Sequence, residues 1–186
     1  MTELLLIRHG ETDWNAEQRW QGHADPPLNA HGREQARALA EQLSCERIDA
    51  VYTSDLRRAR ETADEIAARL GLEPVPVADL REVDVGEWSG LTYGEIEERW
   101  PGAERWQVGE TPEMMAERVV AAVRRIAAEH PGGRVLVVSH GGPIRAIRAA
   151  AARLPYLEHR KADPAAAGNC SVHGFTCKSG EFRSLD

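Results

Sequence analysis

The chain has 186 residues, 42% of them hydrophobic and 28% charged, with a formal net charge of −7. That is enough chain to bury a sizeable core as one domain spanning 1–186, and its acidity argues against a broad basic face for nucleic acid while leaving room for a local arginine cluster that binds a small anion. No apolar run has the length of a membrane span, and the opening MTELLLIRHGE lacks the basic start and long apolar core of a signal peptide, so a cytoplasmic protein with no membrane partner is expected.

Strand-like and helix-like patterns alternate along the chain. Leu4–Arg8 reads as a buried strand ending in Arg8-His9-Gly10, with Gly10 as the point of a sharp turn. Asn29 caps a helix through Leu39 and Leu43. Asp49–Thr53 is a short strand. Ser54 is the expected cap of the next helix, whose apolar residues run from Leu56 to Leu70 and which Gly71 stops. Val75–Val77 is a short extended piece, and a loop-rich region runs from Asp79 to about Pro112 with one helix at Thr92–Trp100. Thr111-Pro112 opens a long helix with Ala116, Val119, Val120, Val123, Ile126 and Ala127 inward.

Arg134–Ser139 (RVLVVS) is a second buried strand, and Pro143 begins a helix with Ile144, Ile147, Ala151 and Leu154 inward. Leu157–Gly168 carries the weakest pattern and is expected to be a loop. Cys170–Cys177 and Glu181–Ser184 complete the sheet. Such alternation predicts an α/β fold, a three-layer sandwich whose mostly parallel sheet is covered by helices on both faces. The odd set Cys45, Cys170 and Cys177 gives no disulfide framework, and with His173 it lacks a fourth metal ligand, so no metal site is expected.

Two strands deliver a histidine to their carboxyl ends, where open α/β sheets hold ligands. One ends at Arg8-His9-Gly10, the other at His140-Gly141-Gly142-Pro143, immediately before a helix whose N-terminal N–H groups favour an anion. A third strand ends at Thr53-Ser54 and is followed by DLRRARETA, where Arg57, Arg58 and Arg60 all offer guanidinium donors for a phosphate. In LREVDVGEWSG, Glu82, Asp84 and Glu87 compete for the role of an acid in a partly apolar pocket near Trp88. Neither set is ranked by its spacing.

The ordered blocks RHGETDWN, QGHADPPLNAHGREQA, SDLRRARETA, LREVDVGEWSG and VVSHGG resemble the histidine phosphatase superfamily, also called the phosphoglycerate mutase-like family, over nearly the whole chain. The resemblance implies a phosphoglycerate mutase-like fold and a metal-independent phosphomonoester hydrolase that needs no cofactor. His9 matches the nucleophile that becomes phosphorylated, Arg8, Arg58 and His140 the phosphate pocket, and Glu82 the proton donor. Asn15, Gln21, Gly22 and Gly141 match positions near bound phosphate and substrate. Arg57, Arg60, Asp84 and Glu87 then become surface or supporting charges.

The segment between Glu82 and His140 contains Arg99, Arg105 and Arg118 but does not resemble the basic insertion of the mutases, which favours a phosphatase over a mutase. The expected partner is a small phosphorylated metabolite: a phosphosugar, a phosphoglycerate, phosphoserine or α-ribazole phosphate, or a range of phosphomonoesters if the specificity is broad. The protein is expected to be a monomer or homodimer. A non-catalytic phosphate-binding module is the remaining alternative. Trp14, Trp20, Trp88, Trp100 and Trp106 either overhang the cleft or cap the core, with at least three assigned to the core.

Overall fold

The computed structural model describes residues 1–104, 106–163 and 167–185. Six strands form one sheet: β1 (Thr2–Arg8), β2 (Ala50–Thr53), β3 (Pro74–Pro76), β4 (Arg134–Ser139), β5 (Val172–Lys178) and β6 (Glu181–Ser184), in the order β3-β2-β4-β1-β5-β6. The first four run parallel; β5 is antiparallel to β1, and β6 to β5. The helices among the described residues are α1 (Asp13–Ala16), α2 (Ala30–Leu43), α3 (Arg57–Leu70), α4 (Tyr93–Arg99), α5 (Pro112–Glu129), α6 (Gly141–Ala152) and α7 (Tyr156–Ala162).

Period-two alternation divides the core into two layers. Leu4 and Leu6 of β1, with Val135 and Val137 of β4, pack with Val119, Val123 and Ile126 of α5 and Ile144 and Ile147 of α6. Leu5, Ile7, Leu136 and Val138 point to the other face, with Leu39 and Leu43 of α2 and Ala63 and Ile66 of α3. Both faces of the central strands are therefore dry, which is why LLLI and VLVV read as unbroken apolar runs.

Several boundaries differ from expectation. Ser54 does not cap α3. Leu56 occupies that position without a side-chain bond, the Arg57 N–H donates to Asp25 Oδ1 at 2.6 Å, and the Ser54 hydroxyl is engaged with His140. Thr92 and Thr111 do cap α4 and α5, and Asn29 caps α2. In α5, Met115 and Ala122 are buried, while Ala116 and Val120 are only half-buried. Leu154 lies beyond the end of α6 and is exposed.

The expected loop at Leu157–Gly168 is in its first part α7; residues 164–166 of that stretch lie outside the described residues, as does Arg105. The helix places Glu158 in its first turn and His159, Arg160 and Lys161 in its last, the charge order that the backbone dipole favours. Gly10 serves close approach rather than a left-handed turn: a Cβ there would lie 2.5 Å from the Gly32 carbonyl oxygen, and one on Gly32 would lie 2.0 Å from that of Glu11. The two glycines let the start of α2 press against the segment after β1. No helix among the described residues is long and apolar enough to cross a membrane.

Candidate active site

In the β1–β4 ladder Arg8 lies opposite Ser139, so His9 and His140, each the next residue, emerge side by side at one rim. The His9 N–H donates to the Ser139 carbonyl at 3.0 Å, and the two imidazole centroids are 5.1 Å apart. Thr53 of β2 pairs with Val138, which brings Ser54 to the same level, where its hydroxyl is 2.8 Å from His140 Nε2. Register alone thus gathers three strand ends that are far apart in the chain.

His9 Nδ1 lies 2.7 Å from the Gly10 carbonyl oxygen. A carbonyl only accepts, so this contact puts the proton on Nδ1 and leaves Nε2 with its lone pair. Burial, reinforced by Arg58 and Arg8, pushes the His9 imidazole well below the usual histidine range, against the opposing pull of the Gly10 hydrogen bond. Burial does the same to His140, aided by Arg58, His9, Arg8 and Arg118. Both rings are neutral near pH 7.

Arg58 is 1% exposed. Its guanidinium donates to the Ala24 and Gly22 carbonyls at 2.7 and 2.8 Å, which folds the Gln21–Asp25 loop around it. Desolvation lowers its pKa to about 10, so it stays charged. Desolvation also lowers Arg8, whose Nη1 donates to the Ala167 carbonyl at 2.5 Å. Arg8 Nε, Arg58 Nε and His140 Nδ1 are buried nitrogens with no protein acceptor among the described residues. Unpaired buried donors are costly unless an anion meets them.

Glu82 faces this cup. Its carboxylate accepts from the Val83 N–H at 2.9 Å and the Gly142 N–H at 3.1 Å, and Val83, Val85 and Trp106 line the same cleft. A Cβ on Gly142 would lie 2.2 Å from Glu82 Oε1, so glycine is required for that approach. Arg118, one of the arginines between Glu82 and His140, turns inward. It donates to the carbonyls of Asp79, Arg81 and Glu82 and forms a bidentate pair with Glu110 at 2.7 and 2.6 Å, holding the backbone that carries Glu82. The rival carboxylates are structural: Asp84 accepts from the Gly86 N–H, and Glu87 from the Gln107 and Val108 N–H groups. Arg57 pairs on the surface with Glu61.

Arg8, His9, Asn15, Gln21, Gly22, Arg58 and Glu82 all line one cleft of about 280 Å³. His140 is fully buried with its ring edge-on to that of His9 and is not among the lining residues, and Gly142, not Gly141, is the lining glycine. Asn15 Oδ1 is engaged by Thr12 and Asn169. Trp20 and Trp106 line the cleft, and with buried Trp88 they form a cluster with centroids 5.5 to 6.1 Å apart; Trp100 packs on the core. The outer wall also contains Arg145 of α6 and Tyr156 and Arg160 of α7, which sequence reading passed over; α7 is too short to show a period. Among the described residues no group of three or more His, Cys, Asp or Glu side chains is arranged to hold a metal ion.

The model of the histidine phosphatase superfamily (branch 1) matches residues 4–186. Phosphoglycerate mutase-like protein 4 of Arabidopsis thaliana is 45% identical over 158 residues, covering 78% of this chain and 69% of that protein. The metal-independent phosphoserine phosphatase of the same plant is 44% identical over 160 residues, covering 79% and 67%. The mycobacterial glucosyl-3-phosphoglycerate phosphatase in complex with VO3 superposes with a TM-score of 0.90 at 32% identity, covering 99% of this chain and 97% of that one.

Proposed function

The chain belongs to the histidine phosphatase superfamily and is a hydrolase of small phosphorylated metabolites, and we propose that it works through a phosphohistidine formed on His9. The observation that carries this reading is the hydrogen bond between His9 Nδ1 and Gly10, which leaves Nε2 as the nucleophilic nitrogen beside buried Arg58 and half-buried Arg8. Burial keeps the imidazole neutral near pH 7, and a nucleophile must be unprotonated to attack.

A phosphate monoester brings about two negative charges near pH 7. Arg8 and Arg58 balance them, and Arg8 Nε, Arg58 Nε and His140 Nδ1 are donors for the non-bridging oxygens. With its oxygen engaged, Asn15 offers its NH₂ group to the same anion. His9 Nε2 attacks phosphorus, the P–O ester bond breaks, and the leaving oxygen takes the proton of Glu82, which enters this step as the carboxylic acid and leaves it as the carboxylate. Water then attacks the phosphohistidine, Glu82 takes up a proton from it, and the P–N bond breaks to release phosphate and neutral His9. Glu82 is acid in the first half and base in the second. Charge stabilisation and in-line positioning by arginines supply what a metal ion supplies elsewhere, so the reaction is read as metal-independent.

The whole of 1–186 acts as one phosphatase domain in this reading, and its free cysteines suit a reducing cytoplasm. Hydrolysis of a phosphorus-chiral ester in the presence of EDTA tests it. Two successive in-line displacements retain configuration at phosphorus; inversion means that water attacks the ester directly and His9 is no nucleophile. Assayed with 3-phosphoglycerate, the protein is expected to release phosphate without forming 2-phosphoglycerate, which separates hydrolysis from mutase-type transfer.

A further inference from the structure

Glu82 carries the proton in the proposed reaction, yet it belongs to no helix or strand. It lies between two short 3₁₀ turns, Ala78–Leu80 and Gly86–Trp88. A loop holds a side chain less precisely than a helix or strand does, so the backbone under Glu82 needs other ties. Side chains supply them. The Ser139 hydroxyl donates to the Leu80 carbonyl at 2.7 Å, and His23 Nε2 lies 2.9 Å from the Glu82 carbonyl oxygen. The carbonyls of Asp79, Arg81 and Glu82 all go to Arg118, at 2.9, 2.9 and 2.8 Å.

A guanidinium has five N–H groups in one rigid plane. In Arg118 all five are used: Nη1 donates to Asp79 and Arg81, Nη2 to Glu82 and one Glu110 oxygen, and Nε to the other Glu110 oxygen. Glu110 is held in turn. Its N–H donates to the Asp84 carbonyl at 3.0 Å, and its own carbonyl accepts from Trp106 Nε1 at 2.9 Å. The Glu110 carboxylate thus fixes the plane of the fork, and the fork fixes the chain that leads into Glu82. Arg118 is not among the residues that line the cleft, its charge is matched by Glu110, and it has no N–H left for a ligand. A lysine offers three donors and no plane, so it cannot replace the fork.

We propose, on the phosphatase reading, that Arg118 oriented by Glu110 is the positioning residue for the general acid: its fork sets the backbone so that the Glu82 carboxyl reaches the leaving oxygen. In this role Arg118 serves delivery of the proton and not capture of the phosphate. Its loss slows those esters whose leaving group needs a proton and spares those whose leaving group does not.

The test measures kcat/KM for phenyl phosphate and 3-phosphoglycerate, each as a ratio to p-nitrophenyl phosphate, whose leaving group departs without a proton. In Arg118→Met both ratios are expected to fall by about ten- to a hundredfold, and Arg118→Lys is expected to behave like Arg118→Met. On a Glu82→Gln background Arg118→Met is expected to move the ratios by less than about twofold, because the acid it serves is already gone. Vanadate inhibition is expected to stay within about twofold of wild type. Circular dichroism and Tm establish folding, and the ratio cancels any general loss of activity. Arg118→Met leaves the Glu110 carboxylate without its partner, so the double variant Arg118→Met/Glu110→Gln, which strands no charge, is measured beside it and decides the matter if the single variant does not fold. Unchanged ratios in a folded variant overturn the proposal, as do a wild-type ratio in Arg118→Lys, a further fall on the Glu82→Gln background, and vanadate inhibition lost in step with the ratios. Ratios unmoved by Glu82→Gln alone remove the acid and the proposal with it. Wild-type protein inactive on every ester, p-nitrophenyl phosphate included, overturns the phosphatase reading itself.

Discussion

Arg58 on the floor of the cleft is 1% exposed and holds two backbone carbonyls, whereas Arg160 on its outer wall is exposed to solvent. The floor is made of strand ends and the first turn of α3, locked by parallel register and by hydrogen bonds across the chain. The wall comes from short helices and from the long connection before α5. In the proposed mechanism the chemistry that needs a phosphorus atom placed in line sits on the floor, and the leaving group meets the wall.

If that division is right, substitutions in the floor damage turnover of every substrate and those in the wall redistribute turnover among substrates. The largest effect is expected from His9→Ala, a loss of about 10⁴-fold or more in kcat with vanadate binding retained; steady-state rates and calorimetry check it, and substantial residual turnover breaks the comparison at its centre. Glu82→Gln is expected to slow alkyl phosphates by about 10²- to 10³-fold but p-nitrophenyl phosphate far less, because that leaving group departs without a proton. Equal losses on both substrates remove the acid role. Gly142→Ala is expected to cost about ten- to a hundredfold in kcat, since its methyl group occupies the place of Glu82 Oε1 and displaces the carboxylate from the leaving oxygen.

A smaller effect separates the regions by pH. His9 and His140 resist protonation in the folded protein, whereas in the unfolded chain they titrate near 6.5. Below about pH 6.5 the unfolded state binds more protons, so stability falls as pH falls, by up to about 1.4 kcal/mol per unit for each histidine. Urea titrations between pH 7.5 and 5 measure the slope, and His140→Asn is expected to flatten it. The same titrations on Arg160→Gln should give a curve parallel to wild type, displaced by less than about 0.5 kcal/mol.

The floor was legible in the sequence because its residues are tied to periodic features. Two apolar runs of strand length end in a histidine, and apolar periodicity locates α3, though only the family resemblance singles out Arg58 from Arg57 and Arg60. The resemblance likewise selects Glu82 over Asp84 and Glu87, and among these three carboxylates Glu82 alone lines the cleft. The wall was not legible. Seven residues of α7 make too few turns to display a period, and Arg145 reads as an ordinary charge on an amphipathic helix until α7 folds back beside it. Ser54 was misread for a related reason. A serine before a helix resembles a cap, and only the register of β2 against β4 reveals that its hydroxyl serves His140.

The most direct measurement is rapid acid-free quench of the protein during turnover of a ³²P-labelled ester, followed by peptide mapping. Acid-labile, alkali-stable label on the peptide that contains His9, formed and discharged at rates compatible with kcat, is the predicted result. Turnover with no labelled histidine, or label confined to another residue, contradicts it.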